Sequence, residues 1–97
     1  MQYFAIDKSI EGVTEDQLRP HLPAELAATL QLYLSDKVRN FYFRKDRPGV
    51  ILLMEVEHKK EAENLLNTLP LVQLGLLAFD LVPVGPLEPL ELLLAKN

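Results

Sequence analysis

The order in which strand and helix segments follow one another is what most limits the fold. Alternating or fully apolar segments bounded by turn residues predict four strands, at Gln2–Asp7, Lys37–Arg44, Val50–Glu57 and Leu76–Val84. Apolar residues at helical spacing predict two main helices, at Pro23–Ser35 and Lys59–Leu69. The order is βαββαβ, which is typical of the ferredoxin-like α+β fold, a four-stranded sheet with both helices on one face.

Local signals support these boundaries. Thr14 and Gln17 have the spacing of a capping box, which predicts a short helical turn from about Glu15. Pro23 suits the first turn of the main helix, where no backbone hydrogen bond is lost. The turn Lys45–Gly49 joins the second and third strands into a hairpin. The apolar face predicted for the first main helix consists of Leu22, Leu26, Leu30 and Tyr33.

Composition excludes several classes of site. The chain has 97 residues, enough for one domain. Its formal net charge of -4 argues against nucleic-acid or anionic-membrane binding. Because there is no cysteine, disulfides, thiolate metal sites and cysteine nucleophiles are excluded. Two histidines, His21 and His58, do not suggest a metal centre. From the small number of histidines and the lack of cysteine we expect no bound metal. No signal peptide or membrane-spanning stretch is recognisable, so we expect a cytoplasmic protein.

The second face of the predicted sheet is the main clue to assembly. Two helices cover one face only, and strand alternation gives the other face Phe41, Phe43, Ile51, Leu53 and Val82. Packing this face against the sheet of a second copy is the simplest way to remove it from water. The third strand contains no aromatic residue on which an RNA base could stack, so RNA binding is not expected.

Several segments resemble one known family. They are Arg39–Arg44, Asp46–Gly49, Leu65–Leu71 and Phe79–Pro83. The chain is similar there to the muconolactone delta-isomerase-like branch of the dimeric α+β barrels. The resemblance implies a homodimer whose two sheets form one barrel, with rings of dimers in the isomerase itself. It also implies cofactor-free proton transfer within a small unsaturated lactone. Asp80 stands where the isomerase has a glutamate on its last strand.

A first candidate site lies on the face turned away from the helices. With a five-residue hairpin loop, Phe41 faces Leu53 and Arg39 faces Glu55. Arg39 would then bind a carboxylate, and Glu55 or Asp80 would carry a proton, since burial raises the pKa of a carboxyl group. The alternative is a structural ion pair that sets the register of the two strands.

A second candidate group lies on the helix side. Alternation assigns Val38, Asn40 and Tyr42 to that side, so Tyr42 and Tyr33 would line a ligand pocket, with His21 near the helix start. Phenol and imidazole groups suit acid–base work on small ring substrates. The alternative is two core tyrosines and a surface histidine. The basic hairpin residues Arg44, Lys45 and Arg47 are interpreted as a solvated turn, and the alternative is a basic loop that attracts anionic ligands.

Gly85 and Pro86 separate the barrel domain, residues 1–85, from a leucine-rich tail, residues 86–97. We expect the tail to pack on the dimer, with the partner subunit as the favoured surface, and the alternative is a frayed terminus. Together these features predict a cofactor-independent, isomerase-like enzyme acting on a small cyclic or carboxylated metabolite. The alternative is a non-catalytic barrel that binds a ligand or has a purely structural role.

Overall fold

The structure is a computed structural model and describes residues 1–86 and Leu94. The strands are β1 Gln2–Lys8, β2 Val38–Phe43, β3 Val50–Glu55 and β4 Ala78–Val84. The helices are α1 Glu15–Leu18, α2 Leu22–Leu34, α3 Lys59–Leu66 and α4 Pro70–Gln73, with a 3₁₀ turn over Arg19–His21. The sheet is antiparallel in the order β2-β3-β1-β4, which confirms the predicted ferredoxin-like α+β fold.

The helix boundaries follow the local signals with one exception. The capping box is present, because the Gln17 amide donates to Thr14 Oγ1 and the Thr14 amide donates to Gln17 Oε1 at 2.8 Å. The second main helix ends at Leu66, earlier than predicted. Pro70 lies in the first turn of α4, where its missing amide hydrogen is not needed.

The core lies between the sheet and the helices. Its sheet layer comes from alternate residues of β1 and β3, among them Tyr3, Ala5, Leu52 and Met54. The helical layer includes Leu32, Ala62 and Leu66, and Leu69 lies between α3 and α4. Within the described residues no helix has the length and apolar character needed to cross a membrane. The predicted tail lies outside these residues, except for Pro86 and Leu94.

The predicted buried face of α2 is wrong. Leu22, Leu26 and Leu30 are 48%, 48% and 40% exposed, and Tyr33 is 45% exposed. Leu32 is buried instead, with Ala28 packed against the same core. Glu25, on this side of the helix, accepts a hydrogen bond from the Leu71 amide at 2.9 Å. Both stripes have helical spacing, so periodicity alone does not tell them apart.

The predicted alternation along β2 is also wrong beyond its first residue. The ladder pairs Phe41 with Leu52 and Phe43 with Val50, so the loop over residues 44–49 is one residue longer than expected. A shift of one residue moves every side chain to the opposite face. Asn40 and Tyr42 therefore lie on the face without helices. A bulge between Val38 and Asn40 restores Val38 to the core side, where it faces Met54.

Candidate functional site

The sheet face without helices, here called the open face, is the candidate site. Phe4, Ile6, Ile51 and Leu53 lie at its centre, where Phe4 pairs with Leu53 and Ile6 with Ile51. Each of the four is only half-buried, and Val82 beside Phe4 is 42% exposed. No helix of the described chain covers them. The result is a flat apolar centre on the two inner strands.

Polar groups lie at both edges of this centre. One row across the sheet runs Tyr42, Ile51, Ile6, Asp80. Tyr42 and Asp80 are thus three strand spacings apart, about 14 Å between their Cα atoms. Asp80 pairs with Lys8 at 3.2 Å, and both side chains are more than half exposed. An aromatic hydroxyl and a carboxylate therefore face solvent on the same side, with apolar surface between them.

Glu55 lies at the other end of the open face. It is next to Gln2, four residues along β1 from the Ile6 that pairs with Asp80. Its carboxylate accepts a hydrogen bond from the Met1 amine at 2.8 Å. That contact, aided by the charge of Arg39, lowers the pKa of Glu55, whereas burial was expected to raise it. The structure does not bring the two predicted acids together.

The predicted strand pairing of Arg39 with Glu55 is wrong. Arg39 is the extra residue of the β2 bulge, and it is exposed. No ion pair within 4.0 Å joins it to Glu55, whose amide donates to the Lys37 carbonyl. A bulge redirects the side chain that it carries. Arg39 instead lines a shallow depression of about 270 Å³ together with Tyr33.

The two tyrosines predicted to share a pocket lie apart. The Tyr33 ring meets Phe41 edge to face, with centroids 5.6 Å apart and planes at 82°. Tyr42 lies on the open face and is 52% exposed. His21 is half-buried at the end of the 3₁₀ turn, directly before α2. These three residues do not form one site between sheet and helices.

A charged cluster that we did not predict lies at the hairpin. The Asp7 side chain is 4% exposed and accepts hydrogen bonds at Oδ1 from Arg47 (3.1 Å) and Arg44 (3.3 Å). Arg44 also pairs with Asp46 at 2.6 Å, and this bond lowers the pKa of Asp46 to about 2. A Cβ at Gly49 would overlap Asp7 Oδ2 and lie 2.7 Å from Oδ1.

The interpretation of the basic hairpin residues as a solvated turn holds for Lys45, which is exposed, and is wrong for Arg44 and Arg47. Arg44 and Arg47 are only 18% and 33% exposed, and they fasten the hairpin to the end of β1. The sequence contains one signal for this cluster: Asp7 continues the buried alternation of Tyr3 and Ala5. A carboxylate at a buried position requires a partner. Both guanidinium groups are already occupied by acids of the chain, so the cluster is structural.

Within residues 1–86, no group of three or more His, Asp or Glu side chains is arranged to hold an ion.

Comparison with known proteins gives a likeness of fold. No protein-family model matches the chain, and no curated protein matches it. Among solved structures it is similar to 5-chloro-2-hydroxyhydroquinone dehydrochlorinase from Burkholderia phenoliruptrix AC1100, in complex with 2,5-dihydroxybenzoquinone. The TM-score is 0.73 at 20% identity, over 92% of this chain and 98% of that one. The two chains therefore share the fold along nearly their whole lengths.

Proposed function

We propose that this protein is a homodimeric α+β barrel in which the open faces of two subunits pack against each other. The observation that carries the proposal is the apolar centre of Phe4, Ile6, Ile51 and Leu53, which nothing in the described chain covers. When two sheets pack face to face, about 10 Å apart, their apolar centres are buried against each other. Because each of these side chains is already half-buried in the subunit, pairing of the faces contributes only part of the roughly 1.5–3 kcal/mol that full burial of such a side chain gives.

The enclosed space binds a small cyclic or carboxylated metabolite and moves a proton on it, without a cofactor. Tyr42 and Asp80 lie at the rim of each open face, so pairing of the faces encloses them with the apolar centre. Asp80 acts as the base, and the Tyr42 hydroxyl donates a hydrogen bond to a ring oxygen. The similar solved structure holds a dihydroxylated quinone ring, which supports an oxygenated ring as the ligand class.

A non-catalytic ligand-binding barrel is the second candidate. The observation that favours it is that both predicted acids have cationic partners, Asp80 with Lys8 and Glu55 with the Met1 amine. A carboxylate held by a cation is a weaker base than an unpaired buried one.

Three measurements test the proposal. Light scattering at micromolar concentration is expected to give twice the monomer mass of 11.0 kDa, and a monomer would refute sheet pairing. Calorimetric titration then uses 2,5-dihydroxybenzoquinone and a small unsaturated lactone as probes. For any probe that binds, exchange of its ring hydrogens in D₂O is followed by NMR.

The variant Asp80→Asn separates the two candidates. It is expected to keep the dimer and the probe affinity while it slows the exchange. Asp16→Asn is the matched control, because Asp16 is an exposed aspartate paired with Arg19 at 3.0 Å, away from the open face. Binding without exchange in the unmodified protein would favour the ligand-binding module over the enzyme.

A further inference from the structure

The outward side of α2 carries an apolar surface that the fold leaves uncovered. We name it the α2 stripe and define it as Leu22, Leu26, Leu30 and Tyr33, which are 40–48% exposed. Their spacing of four, four and three residues aligns them along one side of the helix. Leu34, at the end of the helix, is 74% exposed.

The remaining residues of α2 supply almost no charged side chains, which would be expected on a helix side in contact with solvent. Only one of its 13 residues is charged, and that residue, Glu25, points inward to the Leu71 amide. A helix side that faces solvent normally carries several charged residues. A surface of large apolar side chains without any charge is typical of an interface.

The same chain contains a segment of matching chemistry. Residues 87–94 include five leucines, at 87, 90, 92, 93 and 94. Leu94, the described residue of this segment, is 73% exposed. The three at 87, 90 and 94 repeat at intervals of three and four, which is the spacing with which a peptide presents one apolar side to a helix or groove.

The place where β4 ends favours docking of the segment on the α2 stripe of a second copy rather than on that of its own subunit. β4 ends at Val84 on one edge of the sheet, and α2 packs beside β2 on the other edge. To reach the stripe of its own subunit, the segment would have to cross the whole sheet, about 14 Å, and then the helix layer. The α2 stripe of a neighbouring copy requires no such crossing.

We propose that the leucine segment 87–94 of one copy docks on the α2 stripe of another. The contact is a surface for self-association, separate from the pairing of open faces. It removes the α2 stripe and the leucine side chains of the docking segment from water at once.

Engineered disulfides test this directly, because the chain has no cysteine of its own. Leu26→Cys is made as one protein, and Leu87→Cys, Leu90→Cys and Leu93→Cys as three others, each carrying a tag of different mass. Mixing the Leu26→Cys protein with each tail variant under mild oxidation is expected to give a cross-linked heterodimer for at least one tail position. Docking holds thiols at millimolar effective concentration, so cross-linking should be on the order of a thousandfold faster than between micromolar free chains.

Gln31→Cys is the control, since Gln31 is exposed on α2 but lies half a turn away from the α2 stripe. Cross-linking from Gln31→Cys as fast as from Leu26→Cys, or none from either, would overturn the proposal. A double variant, Leu26→Cys with Leu90→Cys, that closes only a disulfide within one chain would also overturn it.

Truncation after Pro86 provides a second readout. In the full chain Leu26→Gln is expected to lower the melting temperature, and in the truncated chain the same substitution should change it little or raise it. Equal losses in both chains would contradict docking. If the truncated protein stays dimeric, the open faces still pair. A failed cross-link and a failed sheet dimer are therefore separate results.

Discussion

Gly49 is the residue whose replacement the structure most clearly forbids. The Asp7 carboxylate fills the space where its Cβ would be. Gly49→Ala must push that carboxylate away from Arg44 and Arg47 and leave buried charges poorly paired. We expect a loss of about 2–4 kcal/mol in the free energy of unfolding. Urea denaturation followed by circular dichroism measures it.

Gly85→Ala is the matched control for this loss. A Cβ at Gly85 meets nothing within 4 Å, so its effect should be within about 0.5 kcal/mol. If both variants unfold at the same urea concentration as the unmodified protein, Asp7 does not depend on the close approach at Gly49.

At the scale of the element, α2 is held by a contact that depends on pH. Burial raises the pKa of Glu25 above 4.5 in the folded protein, and the Leu71 amide opposes this only in part. Between 4.5 and the raised value the folded state binds more protons than the unfolded state. The contribution of this group to stability is therefore largest at low pH and falls as the pH rises through that window.

Glu25→Gln removes this pH dependence while it keeps an oxygen that can accept the Leu71 amide. We expect the variant to melt at a higher temperature than the unmodified protein at neutral pH, and at nearly the same temperature below pH 4.5. Glu25→Ala, which loses the acceptor, should be destabilised by about 1–2 kcal/mol below pH 4.5 and by less at neutral pH, where the buried charge already offsets part of the contact. An unchanged melting temperature for Glu25→Gln at neutral pH would contradict the raised pKa.

The register of β2 makes a second prediction at this scale. Phe41 contacts Tyr33 on the core side, and Tyr42 lies on the open face. Phe41→Ala should cost about 2–3 kcal/mol in urea unfolding, less than a fully buried phenylalanine because Phe41 is only half-buried. Tyr42→Ala should cost under about 1 kcal/mol within the subunit. The reverse order would indicate the register with the five-residue loop.

Local sequence patterns predicted where the main elements lie, but not which faces of α2 and β2 are buried. Capping residues, prolines and apolar runs predicted each main helix and strand, because these signals are local. The faces of β3 and β4 also followed from alternation, with Leu52, Met54, Phe79 and Leu81 on the core side. The faces of α2 and β2 depended on helix rotation and on loop length, which tertiary packing sets. The hairpin loop is one residue longer than predicted, and this difference separated Arg39 from Glu55 and moved Tyr42 into the candidate site.

At the scale of the whole molecule, the open face should control assembly. Leu53 lies at its centre and is half-buried, so Leu53→Glu places a charge in the proposed sheet interface. We expect light scattering to give a monomer for this variant at concentrations where the unmodified protein is dimeric, since an unpaired charge in an apolar interface is strongly disfavoured.

Leu74→Glu serves as the comparison, because Leu74 directly follows α4, belongs to no strand of the sheet and is 53% exposed. It should leave the dimer intact. A dimeric Leu53→Glu protein would mean that the subunits associate through another surface.

The two edge strands, β2 and β4, each carry a feature that disfavours the growth of the sheet into fibrils. β2 carries an arginine at a bulge, and β4 carries Pro83, which has no amide hydrogen to donate. Either feature hinders a further strand from adding to that edge. Continuous growth of the sheet from chain to chain is therefore hindered at both edges, so that association through the open face favours a closed assembly.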